Sequence, residues 1–499
     1  MSIDLRPSTP PAPLTLGTIA AACGLTASTR DVTVTGVTHD SRAVRPGDLF
    51  AALPGAHAHG AAYAEQAGSL GAVAVLTDPA GAEMVGDLPV LLADDPREAL
   101  GSVAAEIYGH PARDLLLMGV TGTNGKSTTV HLLEAGLRAA GHTTGIIGTT
   151  GVRVGDRNVP NDRTTPEATD LHALLAHMRE EGVTAVAMEV SSHALVLGRV
   201  NGVVYDIAIF TQLSQDHLDF HGTMEDYFAA KADLFTAPRS RRAVIGVDGM
   251  WGRRLADQCE IPQITYALDH DADVVCASVV TGPTGQTLTV RDGSGGTFEV
   301  GVGLPGRFNA ANALGSWAAL RDAGISPEIL ATAMTGVHVP GRMEIIDMGQ
   351  DFTAIVDYAH SPDAVERVIS AVIPRGRRIV VLGCGGDRDR EKRYAMGDVA
   401  AAGADILIVT DDNPRSEDPA AIRTAMLAGA QAVGGDIREI GDRGEAIAAA
   451  VALAQPGDVL LLLGKGHESG QEVAGVITPF DDREVLRAAI RDGVDRGRA

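Results

Sequence analysis

Eight residues in the interior of the chain, TGTNGKST at 121–128, have the types and spacing of a loop that cradles phosphate. They follow DLLLMGV (114–120), an apolar run of the kind carried by a strand buried on both faces, and precede TVHLLEAGLRAAG (129–141), which has the composition of a helix. In that context Gly122 and Gly125 let the backbone turn its N–H groups toward an anion, Lys126 reaches the outer phosphates, and Ser127 offers a hydroxyl to Mg²⁺. The implied chemistry is binding of a nucleoside triphosphate. The spacing departs from the commonest form of such loops, which has glycine five residues before Gly125, where this chain has Val120.

A second segment offers a lysine in an unusual place. DYFAAKADLF (226–235) reads as a helix opened by Thr223, with Asp226 as capping-box partner. Met224, Tyr227, Phe228, Leu234 and Phe235 recur at three- and four-residue spacing, and Lys231 falls on the same inward stripe. Burial lowers the pKa of such a lysine, and its neutral amine can take up carbon dioxide as a carbamate, which turns a cation into a carboxylate able to bind Mg²⁺. The alternative is a stem that covers the core while the ammonium stays in water. Glu189, near the end of AVAMEV (185–190), and His217, just past DIAIF (206–210), are strand-end residues where metal ligands for a bound triphosphate belong. Each is equally readable as an ordinary polar loop residue.

These groups need a scaffold of several units, because 499 residues exceed one hydrophobic core and suggest about three domains of ~100 to 200 residues. The first hundred or so residues carry short strands, VTVTGV (32–37) and AVAVL (72–76), between turn residues and Ala-rich helical stretches, a small α/β domain. A break near His110-Pro111 opens a second domain, whose apolar runs alternate with helical segments as in a mainly parallel sheet. A further break at Pro340-Gly341 precedes RIVVLG (378–383), DILIVT (405–410) and DVLLLL (458–463). Each of these ends in a loop dense in Gly, Asp, Asn or Arg, and in a doubly wound sheet such loops converge on one crevice. The expected fold class is therefore α/β with three domains, at 1–112, 113–340 and 341–499.

Composition narrows the partners. The net charge of -23 and the scarcity of aromatics exclude the basic, stacking surfaces that bind nucleic acid. No segment approaches the ~20 apolar residues of a membrane span, and the proline-rich stretch 6–13 has no signal-peptide core. The four cysteines show no CxxC spacing, so neither a disulfide framework nor a thiolate zinc site is indicated, and a cytoplasmic location is the default expectation.

Taken together, GTNGKST, MEVSSHALVLGRV (188–200), HLDFHGTMEDYFAAKADLF (217–235), PGRFNAANAL (305–314), GRMEII (341–346), DYAHSPDA (357–364) and GKGHE (464–468) resemble the Mur ligases of peptidoglycan precursor synthesis over essentially the whole chain. DNPR (412–415) resembles the diaminopimelate-adding branch in particular. The resemblance implies an N-terminal domain for the UDP-sugar, a central P-loop ATPase, and a C-terminal Rossmann-like domain for the amino acid. It implies ATP contacts at Gly122, Thr123, Asn124, Gly125, Lys126, Ser127, Thr128, Asn312, Arg342 and Asp357, and a magnesium site at Ser127, Glu189, His217 and carbamylated Lys231. Ser41, Ala56, His57, Ala58, Thr164, Thr165, Ser191 and Arg199 are similar to contacts with the UDP-N-acetylmuramoyl dipeptide. Arg393, Asp412, Asn413, Pro414, Arg415, Gly464 and Glu468 are similar to the meso-diaminopimelate site. Lys126, His217 and Lys231 would carry catalysis. Leu197 stands where many relatives have Gln, and Arg163 precedes the Thr pair where some have Asn. The implied reaction is amide-bond formation through an acyl phosphate by a monomeric enzyme. The alternatives are a lysine-adding or folylpolyglutamate-type ligase, and, outside this chemistry, a P-loop switch or a non-catalytic nucleotide-sugar-binding protein.

Overall fold

The computed structural model describes residues 6–9, 12–55, 57–159, 163–282 and 285–495. Its largest sheet has eleven strands, and the run from Thr144–Gly148 through Ala185–Glu189, Leu116–Thr121, Tyr205–Phe210, Ser240–Gly246 and Gln263–Ala267 to Val274–Gly282 is parallel throughout. Antiparallel strands finish both edges: Gly151–Val154 and Arg157–Val159 at one, Gly285–Asp292 and Thr297–Val302 at the other.

The central strand shows why the sequence takes this form. Its side chains alternate, so Leu117 packs with Leu171, Leu175 and Met178 of helix Ala168–Glu180 on one face. Met118 and Val120 pack with Val130, Leu133 and Leu137 of helix Lys126–Ala139, and with Trp317 of helix Arg307–Asp322, on the other. Both faces are covered, which is why the run is continuously apolar. It begins two residues later than the sequence suggests, at Leu116, because Pro111–Asp114 forms a 3₁₀ turn.

Preceding this sheet is a five-stranded one, with Gly36–Thr38, Asp48–Ala51, Ala74–Thr77 and Val90–Leu92 parallel and Thr26–Ala27 antiparallel at the edge. The run VTVTGV is split: Thr33–Val34 pairs with Leu14–Thr15, and Gly36–Thr38 belongs to the five-stranded sheet. Ala168, Ala173 and Ala176 close the core of this first unit from outside, which seats it on the middle unit. The third sheet runs Glu344–Ile345, Thr353–Asp357, Val459–Leu463, Arg378–Leu382, Ile406–Val409 and Asp436–Glu439, parallel except at the first strand. The fold is thus mixed α/β around three sheets. Among the described residues no helix is long and apolar enough to cross a membrane.

Candidate active site

The phosphate loop joins strand Leu116–Thr121 to helix Lys126–Ala139, and two of its glycines are required by geometry. Gly122 has φ of 146° and a Cβ there would collide with Thr211 Oγ1; Gly125 has φ of 91° and a Cβ would collide with Asn312 Oδ1. The next strand end pins the loop, since Thr211 Oγ1 donates to Asn124 O at 2.6 Å and Thr123 N donates to Gln212 O at 2.8 Å. Lys126 Nζ donates to the carbonyls of Gly122 and Thr123, both at 2.8 Å. Burial lowers its pKa, with Glu189 acting in the opposite direction.

The third unit reaches this loop. Arg342 Nη2 donates to Ser127 Oγ at 3.3 Å while its guanidinium stacks 4.5 Å from the Tyr358 ring. Asn124 Nδ2 and Ser214 Oγ both donate to Asp363 Oδ2 at 3.2 Å. Asp357 is buried, accepts from Met343 N at 2.7 Å and Ala359 N at 2.8 Å, and is pushed up in pKa by burial. Asn124, Gly125, Thr128, Asn312, Arg342 and Asp357 line a cavity of about 780 Å³ between the two units, floored by Trp251 and Tyr266.

Lys231 lies beneath the loop. Its helix, Met224–Ala232, is capped as expected by Thr223, whose Oγ1 accepts from Asp226 N at 3.1 Å; the Asp226 carboxylate accepts from the Thr223 hydroxyl rather than from its N–H. Lys231 is 1% exposed, its Nζ sits 4.7 Å from the Tyr227 ring centroid, and it donates to Gly122 O at 3.0 Å, the carbonyl that also accepts from Lys126. Burial, and then the neighbouring Lys126, hold its pKa well below that of an ordinary lysine. Glu189 is buried at the end of its strand, where Thr149 N donates to Oε1 at 2.8 Å and Thr149 Oγ1 to Oε2 at 3.1 Å. His217, with φ of 54°, packs edge-on to His193 at 4.9 Å, and burial pulls its pKa down to about 4, so the imidazole is neutral near pH 7. Among the described residues no three His, Cys, Asp or Glu side chains converge on one metal position.

A second cavity, about 540 Å³, is lined by Thr164, Thr165, Ser191, Arg199 and His217 from the middle unit and by Asp412, Asn413, Arg415, Gly464 and Glu468 from the third. Tyr358 and His360 line both cavities, so the two meet there. One wall carries two arginines: Arg163 and Arg199 line it beside the Thr164–Thr165 hydroxyls, and both, together with Arg97 outside the lining, pair with the carboxylate of Glu167. Such a wall suits an anionic ligand. In the opposite wall Arg415 has φ of 54° and donates from Nη1 to Gly386 O at 2.6 Å. Buried Lys465 ties Asn413 Oδ1 and Glu468 Oε2 together, each at 3.2 Å.

Not every expected residue is brought here. Arg393 lines neither cavity, because both its terminal nitrogens bond Glu417 at 2.8 and 3.1 Å. Pro414 also stays out of both linings, Ser41 bonds Gln66 Oε1 at 3.3 Å, and His57 and Ala58 are exposed on the first unit. Ala56 lies outside the described residues. Conversely, Thr149, His193, Asp216, His360, Lys392 and His467 line the second cavity without having been singled out. Burial works to raise the Asp216 carboxyl, but His217, His360 and Lys392 together hold it below the usual range. His193 and His467 sit inside motifs already recognised, and Lys392 follows a strand-end loop rich in Gly and Asp, which was the available signal.

Comparison with known proteins matches three stretches to families described as the Mur ligase family, catalytic domain (residues 33–108), the Mur ligase middle domain (120–320) and the Mur ligase, glutamate ligase domain (341–466). A protein of Streptomyces coelicolor named UDP-N-acetylmuramoyl-L-alanyl-D-glutamate--2,6-diaminopimelate ligase is 54% identical over 487 residues, covering 95% of this chain and 96% of its own. The chain belongs to the Mur ligase family. A Corynebacterium glutamicum protein of the same name is 50% identical to this Mur ligase over 460 residues, 89% of each chain. A solved structure with that name is 33% identical with a TM-score of 0.66, covering 93% of this chain and 96% of its own. The MurF ligase of Thermotoga maritima, solved in complex with ADP, is 18% identical with a TM-score of 0.65 over 93% of this chain and 98% of its own, and shares the fold of this Mur ligase.

Proposed function

We propose that this Mur ligase uses ATP to join the amine of meso-diaminopimelate to the D-Glu γ-carboxylate of UDP-N-acetylmuramoyl-L-alanyl-D-glutamate. The supporting observation is the meeting of two cavities at Tyr358 and His360, one opening on the phosphate loop and the other walled by Arg163 and Arg199 and by the Asp412–Arg415 loop. ATP would occupy the larger cavity with its phosphates on the N–H groups of Gly122–Thr128. The γ-carboxylate would enter the smaller one from the Thr164, Thr165, Ser191 and Arg199 side, and the amino acid from the Asp412–Arg415, Gly464 and Glu468 side. Ser41, His57 and Ala58 would touch the distant UDP-sugar end, held by a first domain divided from the second at 112/113, with the third beginning at 341. Arg393 would act on the amino acid site through its support of Gly385 O, at 3.5 Å.

The carboxylate attacks the ATP γ-phosphorus and ADP leaves. The amine then attacks the acyl carbon of the resulting acyl phosphate, loses a proton, and inorganic phosphate departs from the tetrahedral intermediate. Such a transfer needs positioning and charge neutralisation more than covalent help. Lys126 supplies a cation at the transferring group. One carboxylate, one hydroxyl and one neutral imidazole, from Glu189, Ser127 and His217, make the sparse set that magnesium accepts beside phosphates. Magnesium held there would neutralise the charge on the phosphate oxygens. Lys231, buried and with a depressed pKa, fits carbamylation: Nζ adds to CO₂ and releases a proton to solvent, leaving a carboxylate for the same ion.

A phosphate-release assay with purified protein, ATP, the UDP-muramoyl dipeptide and individual amino acids tests the reading. Stoichiometric phosphate and tripeptide product are expected with meso-diaminopimelate only when all three substrates are present. Release that needs no acceptor would support a nucleotide switch instead, and preferred use of lysine or glutamate would reassign the amino acid.

A further inference from the structure

One residue outside every motif touches both ends of this site. Thr149 lies in the tight turn between strands Thr144–Gly148 and Gly151–Val154 and lines the second cavity. It holds both oxygens of Glu189, Oε1 through its N–H at 2.8 Å and Oε2 through its hydroxyl at 3.1 Å. A carboxylate only accepts, so the hydroxyl proton is committed to Glu189, and the 3.0 Å contact with Thr164 Oγ1 must be donated by Thr164. The donors therefore run in one direction, from Thr164 in the second cavity through Thr149 to the carboxylate beside the phosphate loop. The carbonyl of the same residue accepts from His467 Nε2 at 2.9 Å. His467 belongs to the third unit, between Gly464 and Glu468 of the second cavity, and its ring packs 5.2 Å from Tyr358, which lines both cavities.

We infer that Thr149 is a positioning residue that orients Glu189, and that His467, by docking on it, couples occupancy of the amino acid end of the site to nucleotide binding at the phosphate loop. This rests on the ligase reading for the identity of the two occupants, but the contacts themselves do not depend on it. The loop carrying Gly464 and Glu468 cannot shift without moving His467. A shifted His467 either releases Thr149 or drags the turn that clamps Glu189. With two bonds on one carboxylate and a third on the turn, small displacements of the loop become changes in the aim of Glu189.

The experiment uses the full chain with the β,γ-imido analogue of ATP, so that binding is read without turnover. Analogue binding is titrated with Mg²⁺ for wild type, Thr149→Val, Thr149→Ser, His467→Ala and His467→Gln, each checked by thermal melt, and then repeated with the UDP-muramoyl dipeptide and the amino acid. Loss of one hydrogen bond to a charged group predicts a Mg²⁺ requirement raised roughly 10- to 100-fold in Thr149→Val, with Thr149→Ser within about 3-fold of wild type. In wild type the amino acid should tighten analogue binding by roughly 5-fold or more; His467→Ala should lose that gain, and His467→Gln, which keeps an N–H donor, should recover part of it. In turnover, Thr149→Val should lower kcat with little change in the KM for the amino acid, whereas His467→Ala should raise that KM. A Thr149→Val protein with the wild-type Mg²⁺ requirement, or a His467→Ala protein that keeps the full amino acid effect, would overturn the inference. A wild-type enzyme that ligates a different amino acid would revise the proposed substrate only, and the coupling would then be read with that amino acid.

Discussion

Replacing Arg415 by Ala should lower kcat/KM for meso-diaminopimelate far more than for lysine. The position of Arg415 is set by its backbone: its N–H donates to Glu472 O at 3.0 Å, its carbonyl accepts from Ala474 N at 2.7 Å, and its φ is 54°. Alanine at this position keeps both bonds and meets the same left-handed conformation, so the loop is retained. What disappears is the Nη1 bond to Gly386 O at 2.6 Å, the approach of Nε to Glu472 Oε2 at 3.7 Å, and a planar pair of donors at the cavity wall. The Glu472 pair is partly exposed and worth ~1 kcal/mol or less. The dominant loss is the partner of the distal carboxylate, by which diaminopimelate differs from lysine. Leaving such a charge unpaired costs roughly 2 to 5 kcal/mol, or ~30- to ~5000-fold in kcat/KM. Lysine has no such carboxylate and should change by less than ~5-fold, the share carried by the exposed pair. Arg415→Lys should fall between, keeping the charge without the two parallel donors. Phosphate release at subsaturating amino acid measures both ratios. Equal losses with the two amino acids, or an unchanged preference in a folded Arg415→Ala enzyme, would refute the assignment of selectivity to this guanidinium.

Lys126→Ala should reduce ligation by at least ~100-fold in the phosphate-release assay while leaving the melting curve near wild type, because it removes the cation at the transferring group without opening a core. Lys231 should give a carbamate carbon signal after incubation with ¹³C-bicarbonate that is missing in Lys231→Arg. Since burial depresses its pKa, the neutral amine persists to lower pH than in an ordinary lysine and is lost as pH falls through that depressed value, so the signal should fade on acidification rather than on alkalinisation. Arg443 and Asp482 form a fully buried two-bond ion pair at 2.7 and 2.5 Å, so Arg443→Ala should cost about 3 to 5 kcal/mol in urea denaturation, and pairing Arg443→Met with Asp482→Leu should cost less. A loss under ~1 kcal/mol for the single replacement would show that Asp482 finds water or another partner.

What was legible in the sequence was local. The inward place of Lys231 follows from its spacing to Tyr227 and Phe235, because a helical stripe is decided within a few residues, whereas the burial of its ammonium, which the spacing left open, is decided by the loop packed over it. The phosphate loop is legible for the same reason, as strand, turn and helix are contiguous. Partnerships between distant segments were not. That Arg393 is held by Glu417, 24 residues on, depends on how helix Lys392–Gly403 meets the loop after strand Ile406–Val409. Nothing in GTTG (148–151) marks Thr149, since a threonine in a turn has no chemical signature until its neighbours are placed. The strand run 32–37 was divided between two sheets because Thr33–Val34 pairs with Leu14–Thr15 whereas Gly36–Thr38, beyond Thr35, pairs with the strand Asp48–Ala51, a choice made by tertiary partners rather than by propensity.

The reach of Arg342 to Ser127 has an evolutionary side. The arginine comes from the third unit, yet the hydroxyl it holds belongs to the nucleotide loop of the second. On the proposed reading, a swap of the third unit for that of a relative would bring a foreign residue 342 and a foreign residue 358 into the cavity beside the phosphate loop along with a new 412–415 loop. Inheritance of a new building block and inheritance of a working phosphate site are thus tied to the same segment. A hybrid would therefore keep this contact only if the incoming side chain at position 342 also reaches Ser127 Oγ, whereas substitutions inside the 412–415 loop leave it in place.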